Sequence, residues 1–444
     1  MLNSSVPVKQ STGKTALPSQ FESVRQFVSK KVINNDFTRN LGWLSVAQAA
    51  IRVSRLAATV ILPRFLTPHD YGLAALVLTT YEFTQTFTKI GIFAKVIQSD
   101  DENLESIAIG AYWLNWLVYA GLFLIQCIAA FPIAWFYQDD QLILPICVLA
   151  LTLLVSPVGR VQSALIQREN RFKTIAIAQA SRYGTANILT AVFAFMGMGM
   201  WAIVLPRLLA APIEFIIYLM NHSWRPTKGF TTEKWGIIFN FGLNILGINL
   251  LKTLRENLDY LLVGRFLGVT QLGIYYFAYN AGLGISLTII QSITTALYPH
   301  LCKLRSHFKE FKKGYFKSLK TIGVIITSFV LLQSGLAPFY VPILFGEKWI
   351  PAIPILILIC LSAIPRSFDS AAFSLLAAVD ETRLGLIGNV LFTAIFAASI
   401  LIGVQWGIVG VAIAVLLAHA IFIPLYTAWA TRYVFAKQQA LSQA

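Results

Sequence analysis

After some forty mostly polar residues the chain becomes a succession of apolar stretches separated by short polar breaks. A membrane-spanning helix needs about 20 predominantly apolar residues, so each stretch predicts one span. Helices are expected at about 41–63, 71–94, 107–131, 142–166, 174–195 and 201–220, and a second set at about 236–262, 271–298, 319–345, 352–377, 384–403 and 407–431. The pattern predicts an all-α integral membrane protein of about twelve spans. Ahead of the first span, Phe21, Val24, Phe27, Val28 and Val32 share one helical face while Arg25, Lys30 and Lys31 lie elsewhere. That predicts a polar tail with a short amphipathic helix on the membrane surface. The same region lacks the apolar core of a signal peptide.

The apolar pattern repeats. "RFLTPHDYGLAAL" at Arg64–Leu76 follows the first span, and "GRFLGVTQLGIYYFAY" at Gly264–Tyr279 follows the seventh. "WAIV" at Trp201 opens span six and "WGIV" at Trp406 opens span twelve, while Pro157 with "QRENR" after span four is matched by Pro365 with "DETR" after span ten. Landmarks in the same order at nearly constant offset predict two six-helix halves. Six is even, so the halves enter the membrane in the same orientation, related by an axis along the membrane normal, with a substrate site between them. The expected division is a tail at 1–39, a first lobe at 40–222, a linker at 223–235, a second lobe at 236–433 and a tail at 434–444.

Composition agrees. Of the 444 residues 57% are hydrophobic and only 12% charged, and the mean hydropathy is +0.67; soluble chains carry about 25% charged residues. The formal charge of +15 does not read as a nucleic-acid face, because Lys and Arg sit between apolar runs. They mark topology instead. Arg168, Arg171 and Lys173, then Arg225, Lys228 and Lys234, then Lys303, Arg305, Lys309, Lys312, Lys313 and Lys317 fall in alternate loops, and Arg432 and Lys437 follow the last span. The intervening "FYQDDQ", "GMGM" and "GVQWG" contain neither Lys nor Arg. By the positive-inside rule both termini are expected in the cytoplasm, with Arg64, Arg265 and Lys348 as outer-side exceptions.

Charges inside the spans are the candidate chemistry, since each costs about 2.5–3.5 kcal/mol at the centre of a membrane helix unless it meets water, a partner or a ligand. Arg52 and Arg55 share one face of span one; Glu82 and Lys89 share one face of span two. Span seven carries Lys252, Arg255, Glu256 and Asp259, where i,i+4 spacing predicts the pairs Lys252–Glu256 and Arg255–Asp259. Arg52 and Arg55 have no such partner within their span, which leaves a wet cavity, an acid such as Glu82, or an anionic ligand. Arg182, Arg207, Glu214, Arg366 and Asp369 read as structural charges. Glu82 is a candidate protonation switch.

No catalytic or metal site is expected. The chain has no HExxH, GxSxG or Walker loop and no soluble domain for a nucleotide. Cys127, Cys147, Cys302 and Cys360 lack metal-ligand spacing and read as small hydrophobes. The acidic "QSDDENLES" at Gln98–Ser106 reads as a solvated loop.

Taken together, "RFLTPHDYGLAALVL", "AKVIQ", "YWLNWLV", "IQRENRFK", "GMGMWAIV", "SWRP", "NLDYLLVGRFLGVTQLGIYYFAYN", "LYPHLCKL" and "FGEKWIPAIPIL" resemble the Wzx-type, WzxC-like polysaccharide flippases of the multidrug/oligosaccharidyl-lipid/polysaccharide exporter superfamily, over about Asn40 to Tyr433. The resemblance implies two six-helix lobes in a V-shaped exporter fold around a central cavity, in a bacterial cytoplasmic membrane. Its implied cargo is an oligosaccharide on a polyprenyl diphosphate, flipped from the inner to the outer leaflet by alternating access for surface polysaccharide assembly. The implied partners are membrane lipids and polysaccharide polymerase or export machinery, without a cofactor and with proton or sodium coupling left open. Cations on the first helix of each lobe are implied to face the cavity, which maps onto Arg52, Arg55, Lys252 and Arg255, with Lys89 beside them. Glu82, Glu256 and Asp259 are the candidate coupling or charge-pair residues, and Glu256 and Asp259 make span seven less purely cationic than that pattern. Tyr112, Trp113, Asn115, Gln126, Tyr275, Tyr276, Tyr279 and Asn280 are candidate sugar contacts. The alternative is a cation-coupled multidrug-type exporter of the same superfamily, which predicts a dominant acidic site.

Overall fold

A computed structural model describes residues 36–88, 91–227, 229–232, 235–305 and 307–443. The predicted N-terminal amphipathic helix, Lys89, Lys228 and Lys234 lie outside them. Every regular element among the described residues is helical. The first half comprises α1 (Asp36–Phe65), α2 (Pro68–Phe87), the short α3 (Ile92–Gln98), α4 (Asp101–Tyr137), α5 (Ile143–Val155), α6 (Arg160–Arg168), α7 (Phe172–Phe195) and α8 (Trp201–Asn221). The second comprises α9 (Trp235–Leu267), α10 (Val269–Ala278), α11 (Gly284–Leu304), α12 (Phe308–Tyr340), α13 (Ile353–Leu361), α14 (Ala363–Ala378), α15 (Thr382–Gly403) and α16 (Gly407–Gln443).

Each predicted span falls on one of these helices or on a consecutive pair. The differences lie at the ends and have local causes. Gly91, with φ of 64°, breaks the predicted second span and separates α3 from α2. Helices α4, α12 and α16 outrun their predicted spans because hydropathy marks only the part in contact with lipid. The acidic stretch is no loop: Asp101 and Glu102 form the first turn of α4, where negative charge suits the helix dipole. Asp101 accepts from Arg168 at 2.6 Å, and Glu105 from Trp224 Nε1 at 2.9 Å.

Seven helical stretches among the described residues are long and apolar enough to cross a membrane, from Gly42–Phe65 to Thr382–Gln439. This is a multi-pass membrane protein. Helices α2 and α9 fall outside that group because they carry polar and charged side chains, among them Glu82 on α2 and Lys252, Arg255, Glu256 and Asp259 on α9.

Helices of each half pack chiefly on one another: α1 on α7, α7 on α8 and α4 on α5, then α15 and α14 on α16 and α11 on α14. The halves meet where α2 packs on α10 and α9. The two copies of the repeated corner form that contact. A Cβ on Gly72 would stand 1.9 Å from the carbonyl oxygen of Val269, and one on Gly273 would stand 1.6 Å from that of Pro68. Gly72 and Gly273 hold equivalent places in the repeat, as do Pro68 and Val269, so the contact is reciprocal about a pseudo-twofold axis.

Its rim is reciprocal too. Arg64 reaches from the first half to the Leu344 and Ile343 carbonyls at 2.7 and 2.8 Å. Arg265 reaches back over the Phe136 ring at 4.8 Å. The orphan carbonyls at the end of α1 are capped from the second half, by Trp349 Nε1 on Pro63 at 2.8 Å and by Lys348 Nζ on Arg64 and Leu66 at 3.0 and 2.8 Å. Arg64, Arg265 and Lys348, the cations that the sequence sets apart from the basic loops, therefore lock the halves together at one end.

Candidate functional site

A cavity of about 990 Å³ begins below that lock and runs along the inside of the second half. Helix α9 supplies Lys252, Arg255, Glu256, Asn257 and Asp259; α14 supplies Arg366 and Asp369; α15 supplies Arg383 and Asn389. The first half contributes Leu78, Thr79 and Glu82 of α2. Its volume lies near the upper end of the roughly 300–1,000 Å³ usual for small-molecule pockets.

Three of the acids are already satisfied. Lys252 pairs with Glu256 at 3.9 Å, as predicted. The predicted Arg255–Asp259 pair does not form. Asp259 is 2% exposed and accepts from the Tyr275 hydroxyl at 2.8 Å and the Tyr260 amide at 3.0 Å, while Arg255 donates to the Asn389 side chain. Helical spacing brings residues 255 and 259 onto neighbouring turns, but a buried aspartate takes donors inside the fold, and the longer arginine reaches across the cavity. Glu82 accepts from Asn257 Nδ2 at 3.3 Å, and Asn257 Oδ1 in turn accepts from Thr79 at 3.2 Å. This polar chain and a Thr86–Thr253 hydrogen bond at 2.8 Å join α2 to α9.

The cavity is amphoteric: the cations Lys252, Arg255, Arg366 and Arg383 face the acids Glu82, Glu256, Asp259 and Asp369. Arg366 and Asp369, expected to be structural, stand in the wall, and the Nε of Arg366 is buried without a hydrogen-bond partner. Between the charges lie neutral hydrogen-bonding groups, including Gln291, Thr294 and Asn280, and rings from Tyr276, Tyr279 and Phe392. His419 lies behind Phe392 and Phe396, with ring centroids 4.9 and 5.3 Å away, and its Nδ1 donates to the Val415 carbonyl at 2.7 Å. Such a wall suits a polyhydroxylated ligand bearing a few charges better than an apolar cation.

The remaining predicted residues divide. Tyr276, Tyr279 and Asn280 line the cavity, and Tyr275 supports it through Asp259. Tyr112, Trp113, Asn115 and Gln126 are elsewhere: Tyr112 packs in an aromatic cluster with Trp113, Trp116 and Trp224, and Gln126 is buried with its Nε2 on the Ile146 carbonyl. Arg52 and Arg55 are exposed on α1, outside this cavity wall. Sequence reasoning overlooked Asn389 and His419, which polar residues within apolar spans eleven and twelve could have signalled, and read Arg383 only as part of the "DETR" landmark.

Two helical halves, reciprocal corners and an open polar cavity among the helices define a two-lobed membrane exporter fold. Solved structures share it. The lipid II flippase MurJ, in an inward closed conformation, is similar with a TM-score of 0.71 at 14% identity, over 89% of each chain. An inward-facing multidrug resistance MATE family transporter of the MOP superfamily is similar at 0.70 and 14% identity, over 88% of this chain and 96% of that one. The profile of the polysaccharide biosynthesis protein family matches residues 61–354, and the chain belongs to that family. Among curated relatives, the lipopolysaccharide biosynthesis protein WzxC of Escherichia coli (strain K12) is 28% identical over 388 residues, 85% of this chain and 77% of that protein. The teichuronic acid biosynthesis protein TuaB of Bacillus subtilis (strain 168) is 25% identical over 371 residues, 82% and 76% of the respective chains. The resemblance read from the motifs thus extends across most of both chains.

Proposed function

We propose that this chain flips a polyprenyl-diphosphate-linked oligosaccharide across a bacterial cytoplasmic membrane, for assembly of a surface polysaccharide. The observation that carries the reading is the amphoteric 990 Å³ cavity in a chain of a polysaccharide biosynthesis family. Its neutral donors, acceptors and rings match sugar hydroxyls and ring faces, and its cations Arg255, Arg366, Lys252 and Arg383 match a phosphate-bearing cargo. Arg52 and Arg55, outside this wall, are proposed as further counter-charges on the first half, and so is Lys89, on the sequence pattern alone. The lipid tail stays in the bilayer while the head group crosses. Transport, not bond chemistry, is the activity.

Alternating access follows from the joint between halves. With the basic loops on the cytoplasmic side, the reciprocal corner faces outward and both termini lie inside. The halves correspond to a first lobe at 40–222 and a second at 236–433, linked by 223–235 and flanked by tails at 1–39 and 434–444. Polysaccharide polymerase or export machinery are the proposed partners. A multidrug-type reading is disfavoured because three of the four acids in the wall, Glu82, Glu256 and Asp259, each have a partner within the protein, and the fourth, Asp369, stands among the cations Arg255 and Arg366, so that no acidic site dominates.

The test is complementation of a flippase-deletion strain, scoring surface polysaccharide after membrane expression is confirmed. Wild type restores the polysaccharide, and Arg255→Ala combined with Arg366→Ala abolishes it. Arg52→Ala with Arg55→Ala measures the first-half cations separately. Failure of well-expressed wild type in strains of matched sugar composition refutes the proposal.

A further inference from the structure

A second cavity, of about 310 Å³, lies in the first half among α6, α7 and α8, with Leu44 of α1 and Phe93 of α3 at its side, and shares no lining residue with the larger one. Arg160 stands in its wall with Ser163, Gln167, Gln179, Glu214 and Tyr218. It is eight residues, or about 12 Å, along the chain from Arg168, which binds the loop at the helix end. The sequence reading overlooked this charge, although it falls inside the predicted fourth span.

Glu214 is the acid nearest at hand, but both its oxygens are taken. Oε2 accepts from Arg182 at 2.5 Å and Oε1 from the Tyr218 hydroxyl at 2.9 Å. Arg160 has no ion pair among the described residues, and its Nε is buried without a hydrogen-bond partner. Phe93 and Phe215 lie under its guanidinium at 5.6 and 5.7 Å, fixing the group without neutralising it. The fully buried Tyr119 hydroxyl, also unpartnered, lies within its electrostatic reach. One positive charge is therefore in excess in a cavity equipped with neutral hydrogen-bonding groups.

We propose that this cavity is an anion site that takes a phosphate group, with Arg160 as its counter-charge. A guanidinium presents paired N–H donors that match two phosphate oxygens, and Ser163, Gln167 and Gln179 are placed to satisfy the others. The phosphate belongs either to a lipid head group or to a free anion. The inference does not depend on the proposed transport activity, since it concerns a different cavity and is read by binding alone.

Full-length protein, with and without Arg255→Ala plus Arg366→Ala to remove the larger cavity's share of the binding, would be titrated in phosphatidylcholine nanodiscs with inorganic pyrophosphate and with farnesyl diphosphate, and compared in discs doped with phosphatidylglycerol. Binding is followed by thermal shift and native mass spectrometry. At least one probe should bind wild type, with Arg160→Gln weakening it by about tenfold or more and Arg160→Lys retaining part of the affinity. Farnesyl diphosphate alone assigns the phosphate to an isoprenoid carrier, pyrophosphate to a free anion, and phosphatidylglycerol to bulk lipid. Ser163→Leu, which fills the cavity and leaves Arg160 in place, should weaken binding as well and serves if Arg160→Gln does not fold. Undiminished binding in these variants, or no binding of any probe to wild type, overturns the proposal.

Discussion

Gly273 lies so close to Gly72 that a Cβ on it would stand 2.9 Å from the Gly72 backbone nitrogen. With the Pro68 carbonyl nearer still, no side chain fits unless the halves part. Overpacking costs about 1–3 kcal/mol, and each 1.4 kcal/mol is tenfold in an equilibrium. Gly273→Ala should thus depopulate the joined state by about fivefold to a hundredfold. A Tyr71→Cys reporter, buried beside the joint, should react with a membrane-impermeant maleimide correspondingly faster in the Gly273→Ala background. Equal labelling in both backgrounds would show that the glycines do not govern closure.

Lys348→Met should loosen the same end by removing two charged caps from the α1 carbonyls. Hydrogen bonds from charged groups contribute about 1.5–3 kcal/mol. The melting temperature in detergent should fall by a few degrees; an unchanged value would mean that water replaces the lysine without loss.

Glu214→Leu should be among the most damaging substitutions in the first half, because it strands Arg182 and frees the Tyr218 hydroxyl. Breaking a buried pair from one side costs about 3–5 kcal/mol. The double change Arg182→Leu with Glu214→Leu should recover part of the lost expression and thermal stability. A double mutant worse than the single would contradict the pairing.

Burial pushes the Glu169 carboxyl up, but hydrogen bonds from Arg171 at 3.1 Å and the facing His222 at 3.2 Å hold it below the usual carboxylate range. Its folded value is the depressed one, so its contribution to stability is present above the unfolded carboxyl value of about 4.3 and is lost as pH falls through the lower folded value. Wild type should therefore melt higher than Glu169→Gln at pH 6, with the gap closing progressively below about pH 4. A gap that widens on acidification would reverse the sign and exclude this arrangement.

The spans could be read in the sequence because lipid imposes one requirement, sustained apolarity, on every lipid-facing stretch. The repeat was legible for a related reason: the corner must place a backbone against a backbone, so its glycines recur. The Lys252–Glu256 pair was legible because it lies within one helix. Arg255 shows the boundary of that reasoning. Its partner Asn389 lies 134 residues away on a helix whose rotation is set by packing, and no local spacing encodes it. Arg160 escaped for the opposite reason, since one arginine in a long apolar span leaves no pattern, and only the neighbours of Glu214 reveal it as surplus.

The two leaves of the joint are unlike in stiffness. At the first corner Pro68 fixes one torsion while Thr67 and Asp70 bind each other's backbone in a capping box. At the second, Gly268 sits at φ of 87° with no side-chain cap, free to visit conformations closed to other residues. A rotation that separates the halves strains the α1–α2 turn more than the α9–α10 turn. In such a rotation the uncapped glycine turn would be the pliant leaf of the hinge and the proline turn the rigid one, so a contact that is symmetric in shape is unsymmetric in compliance.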